Sequence, residues 1–366
     1  MKLIRLLKEE MVLCIASILS VISCFFITPD AHYLEYIDFR TLALLFCLMA
    51  VMAGLQKLGI FRYVAEALVL RMKTERGLIL LLVMLCFFSA MLITNDVALI
   101  TFVPFSLTMM KLVDKQQKII SLVVMETVAA NLGSMLTPIG NPQNLYLFSQ
   151  SGMSLGKFVS VLLPYTVVSL FLLLVWIFFC GKGNELQVSV DGAVRVGDKR
   201  KICLYLILFL LCLLTVINLI HYVVLLTLIL VVILIWDRAV LKQVDYSLLL
   251  TFFAFFIFVG NMGRIELFHR FFEWVAEGRV VFCSIVTSQI ISNVPAALLL
   301  SGFTDDWNGL LIGTNLGGLG TLIASMASLI SFKYVGQCVK KANYLLYFTI
   351  ANLVFLAILI FVYAML

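Results

Sequence analysis

Charge is scarce in this chain of 366 residues: 13% of it is Asp, Glu, Lys or Arg, and 63% is hydrophobic. A soluble domain is roughly a quarter charged and half apolar. In water there would not be enough polar surface to cover such a chain, so lipid is its solvent. That excludes a soluble enzyme, a nucleic-acid binder and a secreted disulfide scaffold. Histidine is scarce too. His32, His221 and His269 are the only three, all near segment ends, which argues against a His-based metal centre. The nine cysteines stand singly, mostly in apolar runs as at Cys14, Cys47, Cys86 and Cys283. They lack metal or redox spacing and read as small hydrophobes in packed helices. There is no nucleophile elbow and no Walker loop, since Gly181-Lys182-Gly183-Asn184 is only a short loop. No enzyme is expected, and no cofactor beyond bound sodium ions.

What is present is a series of apolar runs. A membrane span needs about 20 predominantly apolar residues. Simple candidates are 11–28, 41–56, 158–180, 202–220, 222–236, 247–263 and 343–365. The first follows a basic start but has no small-x-small cleavage site, so it reads as a span and not a signal peptide. Two longer tracts, 77–110 and 279–303, are interrupted by the polar triplets Thr94-Asn95-Asp96 and Ser292-Asn293-Val294. Two more, 119–148 and 308–332, are broken by Thr137-Pro138-Ile139-Gly140-Asn141-Pro142 and by Gly317-Gly318-Leu319-Gly320-Thr321. Helices interrupted at membrane depth are tolerated only where the freed backbone is buried in protein or lines a cavity.

Lys and Arg set the orientation. With the two triplet tracts as re-entrant hairpins, 21 of the 26 fall on one side, and Arg40, Lys157, Arg264, Arg270 and Arg279 on the other. Cytoplasmic loops collect Lys and Arg, which also explains the net charge of +6. The expected topology has nine crossings and two hairpins, with the N-terminus cytoplasmic and the C-terminus outside.

The halves match in order. Asp38-Phe39-Arg40-Thr41 leads to Gly54, as Asp245-Tyr246-Ser247-Leu248 leads to Gly260. Amphipathic stretches follow, 59–66 and 265–277, and then Ile93-Thr94-Asn95 and Ile291-Ser292-Asn293. Asn131-Leu132-Gly133 and Asn315-Leu316-Gly317 come last, with Thr137 and Thr321 each six residues after the Asn. The expected organisation is a first repeat over 1–183, a cytoplasmic loop and linker helix over 184–221, and a second repeat over 222–366. The linker helix inverts the second repeat, which is the architecture of secondary transporters with a midplane site.

A helix break at the midplane offers N–H groups to an anion. Its carbonyls, with Thr, Ser and Asn oxygens, suit a hard cation such as sodium. The expected substrate contacts are Thr94, Asn95, Ser292, Asn293, Asn141, Thr321 and Ser325. The expected ion-coupling residues are Thr94, Asn95, Asp96, Thr137, Gly140, Asn144, Asn293 and Asn315. The plainer alternative for these side chains is helix capping. Gly313-x-x-x-Gly317 is also a close helix-packing spacing. Asp96 and Glu126 are carboxylates inside apolar segments, and such residues are functional candidates by default.

With these residues the chain resembles the ion transporter superfamily of divalent anion/sodium symporters, citrate transporters, arsenite permeases and one group of sodium/proton antiporters. Thr94-Asn95-Asp96 and Ser292-Asn293-Val294 resemble the symporters' Ser-Asn-Thr tips, and Thr137-Pro138-Ile139-Gly140-Asn141-Pro142-Gln143-Asn144 their Thr-x-x-Gly-Thr-Pro-Pro-Asn break. The resemblance implies an all-α fold with a scaffold and an elevator-like transport domain. It also implies a homodimer, substrate on Asn95 and Asn293, and a sodium site built from tip oxygens and Gly140. Asp96, Val294 and a second break without Pro-Pro depart from the symporter pattern, and Asp beside the tip is more like the arsenite permeases. The expected function is sodium- or proton-coupled transport of a small anion, a di- or tricarboxylate, across the plasma (inner) membrane. The alternative is arsenite or antimonite efflux, or sodium/proton antiport, on the same scaffold.

Overall fold

Apolar runs broken by polar punctuation fold entirely into helices; among the described residues the one β-contact is an isolated bridge between Thr74 and Glu185. A computed structural model of the chain describes residues 10–180, 185, 197–268, 270 and 278–366. His269, most of the second amphipathic stretch, and the basic residues Lys2, Arg5, Lys8, Lys182 and Arg195 lie outside them. The first half comprises α1 (Met11–Phe26), α2 (Phe39–Lys57), α3 (Ile60–Val69), α4 (Glu75–Ile93) and α5 (Asn95–Leu112). It continues with α6 (Ile119–Ser134), α7 (Pro142–Ser151) and α8 (Leu155–Cys180). After α9 (Lys199–Val216) and α10 (Tyr222–Trp236) come α11 (Tyr246–Gly263), α12 (Val280–Ile291), α13 (Asn293–Leu300) and α14 (Trp307–Leu316). The last two are α15 (Met326–Val335) and α16 (Lys341–Met365).

Among the described residues five helices are long and apolar enough to cross a membrane on their own: α2, α4, α8, α11 and α16. α1 and α10 are apolar but shorter, and α9 opens on Lys199, Arg200 and Lys201. α4, the first arm of the expected hairpin, thus has the length of a full span. The chain turns back directly after it, and α5 packs along α4.

Local chemistry sets the helix starts. Asp38 and Asp245 cap α2 and α11 with the same backbone angles, φ −79° and ψ 85°, each accepting from the N–H three residues on. Asn141 caps α7 with Pro142 in the first turn, where its missing N–H costs nothing. Gly313 sets α14 against α12, since a Cβ there would lie 2.6 Å from the Val281 carbonyl oxygen. α6 packs against α4, α5, α8, α15 and α16, and so stands at the centre. Outside the spans, the Arg264 guanidinium donates to Asp30 (2.7 Å) and holds its carboxyl below the usual carboxylate range.

Candidate functional site

Both triplets end one helix and begin the next at a residue with positive φ. Thr94 has φ 71° and ψ 150°, and Ser292 has φ 80° and ψ 156°. Such angles cost a β-branched or polar residue on the order of 1–3 kcal/mol, and they persist only where the surroundings impose them. The following asparagines behave alike: Asn95 Oδ1 accepts from Asp96 N–H (2.9 Å) and Asn293 Oδ1 from Val294 N–H (3.0 Å).

Each tip rests on a helix break. Asn95 N–H donates to the Gly140 carbonyl (3.0 Å), and the Thr137 hydroxyl donates to Met91 O (2.5 Å). In the other half the Thr321 hydroxyl donates to Gln289 O (3.2 Å). Met91 and Gln289 each stand three residues before their tip residue. The break carbonyls are not left open. Asn144 Nδ2 lies 3.1 Å from Met135 O and 3.2 Å from Thr137 O, and Gln289 Nε2 lies 2.9 Å from Gly317 O and 2.8 Å from Leu319 O. A side-chain amide thus satisfies the broken helix end in both halves. Replacing Gln289 by Ala would strand two carbonyls, at about 1–3 kcal/mol each where they are buried. A lower melting temperature with reduced transport is the expected outcome, read by thermal unfolding in detergent; an unchanged Tm would contradict the capping role.

The two halves are knitted together by side-chain amides. Asn95 Nδ2 donates to Asn131 Oδ1 (3.2 Å), which also accepts from Ser325 Oγ (3.0 Å). Asn141 Nδ2 donates to Asn315 Oδ1 (3.1 Å), and Asn315 Nδ2 to Asn144 Oδ1 (2.6 Å). Beside this network lies a narrow neck of about 20 Å³ lined by Asn95, Asp96, Asp245, Asn293, Ser325 and Met326, among others. A cavity of about 180 Å³ shares Asp96, Asp245 and Met326 with the neck and adds Thr94, Asn141 and Gln56. A second, of about 300 Å³, is lined by Ser292, Val294, Met326, Glu10 and Lys333.

Most of the expected site residues therefore converge. Thr94, Asn95, Asp96, Asn141, Ser292, Asn293 and Ser325 line the neck or its flanking cavities. Thr137, Gly140, Asn144 and Asn315 build the breaks behind it. Thr321 is not brought to the cavities: it is exposed and bonded to Gln289. The expectation of open N–H groups at the first tip also needs correction. Asn95 N–H bonds Gly140, Asp96 N–H bonds the Asn95 side chain, and Val97 N–H bonds Thr94 Oγ1 (3.4 Å). What stays open is on side chains. Among the described residues Asn131 Nδ2 is buried without a hydrogen-bond partner, and so is Asp96 Oδ1. Asp96 itself lines the neck, and Asn131 is joined to it through Asn95 and Ser325, which do.

Sequence reasoning missed Asp245, Asn131 and Gln289 as site residues. Asp245 signals only a helix start. Gln289 has no counterpart in the first half, where Met91 stands at its position, so the internal match gives no cue.

Comparison with known proteins places the chain. Residues 3–304 match the family model described as citrate transporter. An uncharacterised transporter of Methanocaldococcus jannaschii is 31% identical over 325 residues, covering 88% of this chain and 89% of that protein. The inner membrane protein YbiR of Escherichia coli is 30% identical over 300 residues, 81% of this chain and 80% of YbiR. A shorter match joins it to the silicon efflux transporter LSI3 of Oryza sativa subsp. japonica, 33% identical over 138 residues, 38% of this chain and 28% of LSI3. An all-helical chain with several membrane-length apolar helices and these relatives is an integral membrane transporter, and it belongs to the citrate transporter family.

Proposed function

We propose that this protein is a secondary active transporter that moves a small anion, a di- or tricarboxylate, together with sodium ions or protons. The observation that carries this reading is the neck, where Asp96, with one unpaired carboxylate oxygen, meets the two tip asparagines and Ser325, and where Asn95 and Ser325 are bonded to Asn131, whose amide nitrogen is unpaired among the described residues. Amide N–H groups suit a carboxylate substrate. Asp96 and Asp245 oppose one: at 4 Å two like charges repel by about 4 kcal/mol even at an effective dielectric of 20. A cation or proton held by Asp96 removes that repulsion, so cation and anion bind better together than apart. Mutual enhancement of this kind is the thermodynamic basis of coupling.

In this reading the two halves are inverted repeats spanning 1–183 and 222–366, with nine crossings and two re-entrant hairpins. The matching tip angles and the matching Thr–carbonyl braces support the repeat. The elements around the tips and breaks move as one body against the scaffold of an elevator, in a homodimer. The alternative, arsenite or antimonite efflux or sodium/proton antiport, draws on the acidic pair at the neck and on the silicon efflux relative.

Calorimetric titration of the purified protein tests the choice. Citrate, succinate, malate and arsenite would each be titrated with and without sodium, at two pH values. A carboxylate whose affinity rises with sodium or with falling pH is the expected result. Binding of arsenite alone would favour the alternative. Asp96→Asn is expected to leave carboxylate binding measurable and to remove its cation or pH dependence; a variant with unchanged dependence would assign Asp96 to capping.

A further inference from the structure

Glu126 lies on α6, away from the neck, and its side chain is wholly buried. The Ser106 hydroxyl of α5 bonds one carboxylate oxygen, and the other has no partner among the described residues. The titratable groups that face it are Cys86 of α4 and Tyr344 of α16, both fully buried. Among the described residues no Lys, Arg or His pairs with it, and no charged group of α8, α14 or α15 acts on it. A buried carboxylate without a countercharge neutralises by taking a proton.

The surroundings of this acid are unlike those of a passive core hydroxyl. Most buried hydroxyls in these helices bond the carbonyl one turn back, as Thr127, Thr166, Ser169, Thr215 and Ser288 do, with Ser284 an exception on α12. Ser328 on α15 makes no such bond: its hydroxyl is fully buried and unpartnered, as is the Tyr344 hydroxyl. Ser328 and Ser331 stand three residues apart on α15, and Ser325 is its N-cap residue. Ser325 bonds Asn131 at the neck, and Ser331 meets the Thr127 hydroxyl (2.7 Å), next in sequence to Glu126. The serines at 325, 328 and 331 thus reach from a residue of the neck to the sequence neighbour of the buried acid.

We propose that Glu126 is a proton-binding site of the transport cycle, separate from the tips and loaded from the neck along this row of hydroxyls. In the step concerned the Glu126 O–H bond breaks, the proton passes along the hydroxyls to water at the neck, and the carboxylate left behind accepts from Ser106 and Tyr344. The inference rests on the reading of the protein as a cation-coupled transporter. It adds the place where one proton is carried.

The test compares wild type with Glu126→Gln, which matches the neutral acid in shape, in two ways. Infrared difference spectroscopy of the purified protein at neutral pH reads the neutral carboxyl stretch without any substrate. Proteoliposomes read citrate counterflow and citrate accumulation driven by a proton gradient. The expected result is a carboxyl band lost in the variant, counterflow retained and gradient-driven accumulation lost. The proposal is overturned by a variant with an unchanged carboxyl region, since Glu126 would then be ionised. It is overturned equally by accumulation at the wild-type level, or by counterflow lost together with accumulation in a folded variant. A wild type that moves no citrate refutes the carboxylate reading instead, and the infrared comparison still decides whether Glu126 holds a proton.

Discussion

Asn95→Ala and Asn293→Ala are each expected to lower citrate uptake roughly ten- to a hundredfold, the range set by losing one hydrogen bond to a charged group at about 1.5–3 kcal/mol. Both side chains line the neck, and neither carries the fold. Asn95 gives up its bonds to Asn131, which keeps Ser325, and to the adjacent Asp96 N–H, and the Asn293 side-chain oxygen serves only Ser292 and the adjacent N–H among the described residues. Labelled citrate uptake into proteoliposomes, normalised to the monodisperse protein recovered by gel filtration, gives the effect directly. Wild-type uptake by both variants would remove the proposed site.

Gly140→Ala is expected to damage the fold itself. A Cβ at Gly140 would stand 2.0 Å from the Ser134 carbonyl oxygen, a backbone atom that cannot turn aside. The same residue accepts the Asn95 N–H, so any shift that relieves the clash pulls the tip from its seat. Overpacking against fixed backbone costs roughly 3 kcal/mol, which corresponds to a fall in Tm of roughly 4 °C for a chain of this size. Gly156 supplies the control, because a Cβ there meets nothing within 4 Å. Gly156→Ala should leave Tm and transport unchanged. A Gly140→Ala protein as stable and active as that control would contradict the close packing of the first break.

Much of this architecture was legible because lipid simplifies the code. An apolar run is a helix, and a polar triplet inside one is a break, so Thr94-Asn95-Asp96 and Ser292-Asn293-Val294 mark both tips. The order of matched segments identified Asn131 and Asn315 as landmarks, and both stand in the amide network at the breaks. What was illegible depends on partners distant in sequence. Thr321 carries the same spacing as Thr137, yet spacing cannot say that its hydroxyl braces Gln289 instead of facing a cavity. Asp245 reads as a helix cap and performs that role. Only the folded chain shows that it also looks onto Asp96 across the neck. The open N–H groups expected at the first tip were closed by the residues that make the tip polar, since Asn95 and Thr94 accept from their own helix.

The central claim, that an organic anion and a cation travel together through this neck, is met most directly by one measurement. Purified protein in sealed liposomes with an internal pH dye would receive a sodium gradient, with and without citrate, succinate or malate outside, alongside labelled-substrate uptake. The account predicts that movement requires the organic anion, seen either as a dye response or as sodium-driven uptake with a silent dye. A pH change driven by sodium with no organic anion present would contradict it and make the protein an antiporter.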